Sequence, residues 1–332
     1  MPDVLAAIGD AKRILVEARL RPVQGARFQP TGFPSLGAAS FRGPSDTEML
    51  LVESAQSMAN RLEATIWDAA ADDLLPAFAG LPYVATSVNG RTTDSIREAH
   101  RLNSPYLVRG IEDEIKRRAE ISGKKNKGKV TVEGGENDES SGVDIRKLAN
   151  AIFYLDPNSV LHGVFLEKIA GLARLTRVLS AFIEADNVRP VESGGVKNDR
   201  IDPNGRAKGG AKEGFGNVPY SRTEYTAEKI TAYFSVDLAL LRSYGLGKTA
   251  EDLLIAMALW KIVQFLENGG RLRTACDFEA DGEPRVTRPV GFAFPSSADL
   301  EALVRTSIAT LQAEGRFASP SRTEVPFETA AK

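Results

Sequence analysis

Two segments far apart in the chain alternate apolar and polar side chains with a period of two. In residues 229–238, Ile230, Ala232, Phe234, Val236 and Leu238 alternate with Thr231, Tyr233, Ser235 and Asp237. In residues 13–21, Ile14, Val16, Ala18 and Leu20 alternate with Arg13, Glu17, Arg19 and Arg21. Successive side chains of a strand point to opposite faces, so each segment is a half-buried strand with one face toward a core. The other face of residues 13–21 is basic. Residues 179–185 and 272–278 read as further strands, and a sheet covered on one side needs helices to cover it.

Three helices are predicted. Ser45 followed by Glu48 makes a capping box, and Leu51, Ala55, Met58, Leu62 and Ile66 then recur at helical spacing, which predicts a helix over 46–70. Thr249 caps a second helix that runs to Asn268, is apolar almost all round, and ends at Gly269-Gly270. A last amphipathic helix covers 297–314. Residues 151–184 hold apolar runs that do not divide between strand and helix. The order strand, helix, insertion, strand, helix, strand predicts an α+β fold. It is that of an RNA-recognition-motif or ferredoxin-like antiparallel sheet with large insertions, in one elaborated domain over 1–332. Residues 71–178 form the main insertion. Within it, residues 122–142 run lysine-rich and then acidic without an apolar cluster, and are expected to be mobile.

At 332 residues the chain can bury a self-sufficient core. Its single cysteine, Cys276, cannot form an internal disulfide, and Met1-Pro2-Asp3 does not begin a secretory signal, so the cytoplasm is the expected compartment. The longest apolar stretch, 253–260, is too short to span a bilayer, so no membrane partner is expected. A net charge of −2 differs from the positive excess common in nucleic-acid binders. The charge is uneven, however: residues 111–120 and 133–139 are acidic, whereas 13–42 and 197–212 are basic and glycine-rich. Local charge decides, because interactions beyond about 8 Å are largely screened at physiological salt.

Both basic stretches are long glycine-rich connections, a class that is usually functional or disordered. Residues 21–45 interleave Arg21, Arg27 and Arg42 with Phe28, Phe33 and Phe41 and hold no acidic residue. Arginines neutralise phosphates, and an exposed ring offers a stacking surface worth about 1–3 kcal/mol per base. Glycines let the main chain approach a sugar-phosphate backbone. The competing reading of each phenylalanine is a packed core position. Residues 192–220 set Lys197, Arg200, Arg206, Lys208 and Lys212 among glycines, in a loop between two strands. Ser54, Gln56, Ser57, Asn60 and Arg61 occupy the helix that the first loop feeds, where hydroxyl, amide and guanidinium groups suit phosphate. An ordinary solvated helix face is the alternative.

Other motifs lead nowhere. Gly247-Lys248-Thr249 imitates a phosphate-binding loop, but Arg242 stands where that motif needs its first glycine. His100 and His162 have no metal-ligand spacing, so no metal or cofactor is expected. Cys276 reads as a buried thiol.

The run Arg19-Leu20-Arg21-Pro22-Val23-Gln24-Gly25-Ala26-Arg27-Phe28-Gln29-Pro30-Thr31-Gly32-Phe33-Pro34 and the run Leu51-Val52-Glu53-Ser54-Ala55-Gln56-Ser57-Met58-Ala59-Asn60-Arg61 resemble the backbone subunit of type I-G (formerly I-U) CRISPR surveillance complexes. So do Leu155-Asp156-Pro157-Asn158-Ser159-Val160-Leu161-His162-Gly163, Ser193-Gly194-Gly195-Val196-Lys197, Gly216-Asn217-Val218-Pro219-Tyr220 and Leu272-Arg273-Thr274-Ala275-Cys276-Asp277. The resemblance implies the repeat-associated (RAMP) superfamily, with a palm, fingers and thumb architecture whose copies stack along one CRISPR RNA. Residues 71–178 then match the fingers, and residues 191–221 match the thumb that closes over RNA held by a neighbouring copy. The RNA contacts so implied are Arg19, Arg21, Arg27, Phe28, Gln29 and Thr31 in the first strand and loop. Ser54, Gln56, Ser57, Asn60 and Arg61 follow in the helix, and Lys197, Arg200, Asn217 and Arg222 around the thumb.

The implied function is a non-catalytic Cascade subunit of antiviral defence. Its partners would be CRISPR RNA, the target DNA strand, further copies of itself and other Cascade subunits. Type III relatives cut RNA with an aspartate after the first strand, but residues 21–45 offer no carboxylate for that chemistry. The rival reading is a RAMP endoribonuclease that processes CRISPR RNA, with His100, His162 and Tyr220 as the available acid-base groups.

Overall fold

A computed structural model describes residues 5–33, 37–44, 46–121, 143–167, 169, 173–268 and 270–327. Pro34, Ser45, Gly269 and residues 122–142, on which part of the loop, the capping box, the C-cap and the mobile insertion were read, lie outside the described residues.

Strand β1 (Arg13–Pro22) buries Ile14, Val16, Ala18 and Leu20, as its alternation requires. The next element departs from expectation. Residues Glu48–Glu53 form a strand, β2, and helix α1 covers only Ala55–Ala64, with the Ser54 hydroxyl as its N-cap accepting from the Ser57 amide. Met49-Leu50-Leu51-Val52 is a short apolar run that suits a buried strand as well as a helix, and pairing with a distant strand decides between them.

Helices α2 (Ile145–Leu155) and α3 (Pro157–His162) are N-capped by Asp144 and Asp156. Strands β3 (Leu179–Asp186), β4 (Arg189–Lys197), β5 (Val218–Thr226) and β6 (Lys229–Asp237) follow. Helix α4 (Lys248–Glu267) starts from Gly247, so Thr249 lies inside it and is not its cap. The predicted strand over 272–278 is a hairpin, β7 (Gly270–Arg273) and β8 (Cys276–Ala280), because Ala275 takes a left-handed φ of 58° and turns the chain. Strand β9 (Arg285–Arg288) and helix α5 (Ser297–Ala313) complete the layers.

The main sheet runs β7-β8-β1-β6-β3-β2 and ends on the short strand Ser40–Arg42, with every neighbouring pair antiparallel, while β9 pairs with part of β1. The two alternating segments are direct neighbours: Ile14 faces Val236, Val16 faces Phe234 and Ala18 faces Ala232. Their shared apolar face is covered by α1 against β3 and by α4 against β6 and β8. α4 is enclosed because α5 packs on it from outside, which is why its sequence is apolar all round.

Between α1, α3 and α4 the interior turns polar. Arg101 Nε and Nη2 lie 2.6 and 2.8 Å from the Glu63 carboxylate, and Asn158 Nδ2 donates to the same carboxylate at 2.9 Å. Lys261 donates to Asn158 Oδ1 and lies 3.0 Å from His162 Nε2. All five residues are buried. Burial raises the Glu63 carboxyl and holds the His162 imidazole well below its usual value, with Lys261 adding to the latter.

Candidate nucleic-acid interface

The glycine-rich connection over 22–44 is partly ordered by pairing. Gly32–Phe33 pairs with Gly37–Ala38, and Ser40–Arg42 joins the sheet edge. The β4–β5 segment, predicted as a loop, is a regular hairpin from the pair Arg189 and Thr226 to the pair Lys197 and Val218. The first basic segment meets the base of this hairpin. Phe28 and Tyr225 exchange main-chain hydrogen bonds of 2.9 Å in both directions. One residue on, the Gln29 amide donates to Ala275 O at 2.8 Å, so the loop is stitched between hairpin β4–β5 and the turn of β7–β8.

This stitching defines two adjoining clefts that share Arg222. One, of about 470 Å³, is lined by residues 22–27, by Arg222 and Glu224, and by Arg271 with Asp277. The other, of about 450 Å³, is lined by Gln29, Thr31, Gly32 and Gly37 facing Ser221 and Arg222. Glu224 is 3% exposed and holds a guanidinium on either side: Arg27 at 3.0 Å and Arg222 at 2.6 Å. Arg222 Nη1 also donates to Gln29 Oε1 at 3.2 Å. One carboxylate against two guanidinium groups leaves a net positive charge and fixes both cations at the cleft wall. Glu53, equally buried, does the same for Arg61 and Arg273.

Of the residues singled out from the sequence, Arg27, Gln29, Thr31 and Arg222 come together here. Phe28 does not offer a stacking face. Its ring is 1% exposed and packs edge-on against Phe278 at 5.5 Å, because the main-chain bridge to Tyr225 turns it into the core. Arg61 is likewise directed inward, donating to the carbonyls of Arg271 and Leu272. Ser54 is occupied as the N-cap, Ser57 is half-buried, and Gln56 and Asn60 are exposed. Gln56 lines a separate cleft.

Arg19 and Arg21 sit further along β1 beside acids: Arg21 is 2.7 Å from Glu279, and Arg19 is 3.8 Å from Asp281. Lys197 and Arg200 are exposed toward the far end of hairpin β4–β5. Asn217 shapes that end, accepting from the Asp199 amide at 2.8 Å while its own amide donates to Pro203 O at 3.0 Å. The Asp199 carboxylate accepts from the amides of Ile201, Asp202 and Gly216, and those hydrogen bonds lower its pKa.

Glu53, Glu224, Arg271 and Arg273 were not foreseen. The spacing of Arg222 and Glu224 on an alternating strand was a usable signal, since residues two apart share a face. Nothing local marks Glu53 or Arg273 as partners. Cys276 is buried as read, and burial pushes its thiol up to about 12. Among the described residues no helix is long and apolar enough to cross a membrane.

Residues 14–190 match the family described as CRISPR-associated protein GSU0053. The chain belongs to this family. The matched residues run from β1 to the start of β4, and so include the loop and α1 and end at the second residue of the hairpin. No curated protein matches this member of the CRISPR-associated family. Among solved structures, a chain of "CRISPR RNA-guided surveillance complex, pre-nicking" is similar at 13% identity and a TM-score of 0.42, over 81% of this chain and 74% of that one. Csc2 of Thermofilum pendens is similar at 13% identity and a TM-score of 0.33, over 95% of this chain and 86% of that one. Likeness of that order sets no residue equivalences.

Proposed function

We propose that this CRISPR-associated protein is a non-catalytic RNA-binding subunit of a type I-G surveillance complex, whose copies line up along a guide RNA and present it to target DNA. The observation that carries this reading is the convergence of Arg27, Gln29, Thr31 and Arg222. Arg27, Gln29 and Thr31 come from the first basic, glycine-rich segment and Arg222 from β5, remote in sequence, and they meet in adjoining clefts. Side-chain cations and close-approaching amides recognise a polyanionic backbone without reading bases, which leaves sequence specificity to pairing. The strand order β8-β1-β6-β3 with crossover helices α1 and α4 supports an RNA-recognition-motif-like palm. The protruding hairpin β4–β5 supports a thumb, and the elements between α1 and β3 correspond to fingers. Target DNA, further copies of the chain, other Cascade subunits and a cytoplasmic location belong to the same proposal.

The test removes exposed charge while leaving the buried carboxylates paired. A triple variant, Arg27→Gln with Lys197→Gln and Arg200→Gln, keeps Arg222 on Glu224. Its affinity for single-stranded RNA should fall, and the slope of log K against log salt should shrink by about one for every phosphate left without its cation. Wild-type affinity and slope in that variant reject the reading. The endoribonuclease alternative predicts cleavage of CRISPR-repeat RNA that depends on His100, His162 or Tyr220. It is disfavoured for His162, which is fully enclosed, and a cleavage assay decides it for the other two.

A further inference from the structure

A third cleft, of about 570 Å³, opens where the first turn of α1 meets residues 99–103 and the hairpin of Val164–Leu166 with Ala173–Leu175. Gln56, His100, Arg101, His162, Arg174 and Arg177 line it, and none of its described lining residues is acidic. This distinguishes it from the cleft beside Arg27, which contains Glu224 and Asp277. The charge on Arg101 is offset by Glu63 below. Arg177 is half-buried and has no hydrogen bond or ion pair among the described residues, and Arg174 is exposed with its guanidinium 5.0 Å from the Phe165 ring.

His162 is fully buried and its Nδ1 has no partner. Its Nε2 lies 3.0 Å from Lys261 Nζ. A half-buried guanidinium with no hydrogen-bonded anion is costly. The cleft therefore gathers donors and positive charge and lacks only acceptors.

We propose that this cleft binds a phosphate group, with Arg177 as the principal cation and Arg174 and His100 at the rim. The phosphate comes from the RNA backbone, in which case the site rests on the RNA-binding reading and extends it past Gln56, or from free phosphate. The volume falls within the range of small-ligand sites and admits a nucleotide unit behind the phosphate.

The experiment uses the full chain as wild type, Arg177→Gln and Arg174→Gln. Binding of a labelled single-stranded RNA is followed across a salt series, and melting is compared in inorganic phosphate and in chloride at equal ionic strength. Arg177→Gln should melt no lower than wild type in chloride, bind RNA about tenfold more weakly, and show a salt slope smaller by about one phosphate. Arg174→Gln, at an exposed position, should show a smaller effect of the same kind and serves if Arg177→Gln fails to fold. If RNA binds wild type and both variants with equal affinity and slope, and inorganic phosphate stabilises none of them, the cleft is overturned while the RNA reading stands. If wild type binds no RNA but inorganic phosphate raises its melting temperature and not that of Arg177→Gln, the cleft stands with free phosphate as its ligand and the RNA reading falls.

Discussion

Glu53 and Glu224 each sit nearly solvent-free between two guanidinium groups, yet the arginines they hold have different tasks. Arg27 keeps more than half of its side chain exposed and can meet a ligand. Arg61 spends its donors on the carbonyls of Arg271 and Leu272, so its work is to fix α1 against β7. Arg61→Ala should therefore lower stability by about 1–3 kcal/mol in urea denaturation while leaving RNA affinity of the folded fraction near wild type. Reduced affinity at unchanged stability would return Arg61 to the ligand face.

Lys261 makes the second prediction. Burial pulls it from 10.5 down to about 7, opposed by the nearby Glu63 and Asp156 carboxylates and aided by Arg101. Between those two values the unfolded chain binds more protons than the folded one, so this site's contribution to stability grows as pH rises through the window and is smallest below about 7. In Lys261→Met, Asn158 Oδ1 and His162 Nε2 lose their donor. The deficit against wild type in urea midpoint should widen from about pH 6.5 to about pH 9.5. A deficit independent of pH would show that Lys261 does not titrate in that range.

Among the elements, hairpin β4–β5 stands apart because its strands pair with each other and, outside the hairpin, only through the bridge of Tyr225 to Phe28 among the described residues, and because they expose most of their residues. Gly194 is required there by proximity: a Cβ would lie 2.3 Å from Tyr220 O. Gly194→Ala should speed amide exchange across residues 189–226 and weaken RNA binding, with the melting of the main sheet unchanged, since little core depends on the hairpin. A cooperative loss of stability in the whole chain would mean that the hairpin belongs to the core.

Strand β2 shows the limit of pattern reading at this level. Residues 48–53 carry helix-compatible spacing and a plausible cap, and β3 claims them as a sheet partner through Ile183 to Asp186. The hairpin β7–β8 is a similar case, since the turn at Ala275 puts a left-handed residue where an unbroken strand was read.

Across the molecule, alternation in residues 13–21 and 229–238 was enough to fix an antiparallel core, because side-chain direction in a strand follows from covalent geometry. The all-round apolarity of α4 likewise fixed its burial. The block around Arg27 also pointed to the CRISPR-associated family, and the match over 14–190 spans it. Sequence could not say that Phe28 turns inward, that Glu224 would clamp Arg27 to Arg222, or that Glu63, Asn158, His162 and Lys261 would share one buried network. Each of these depends on which remote segments the sheet brings within hydrogen-bond distance. Local propensity sets the direction of a side chain along its own strand or helix, and packing between distant segments chooses the partner it meets.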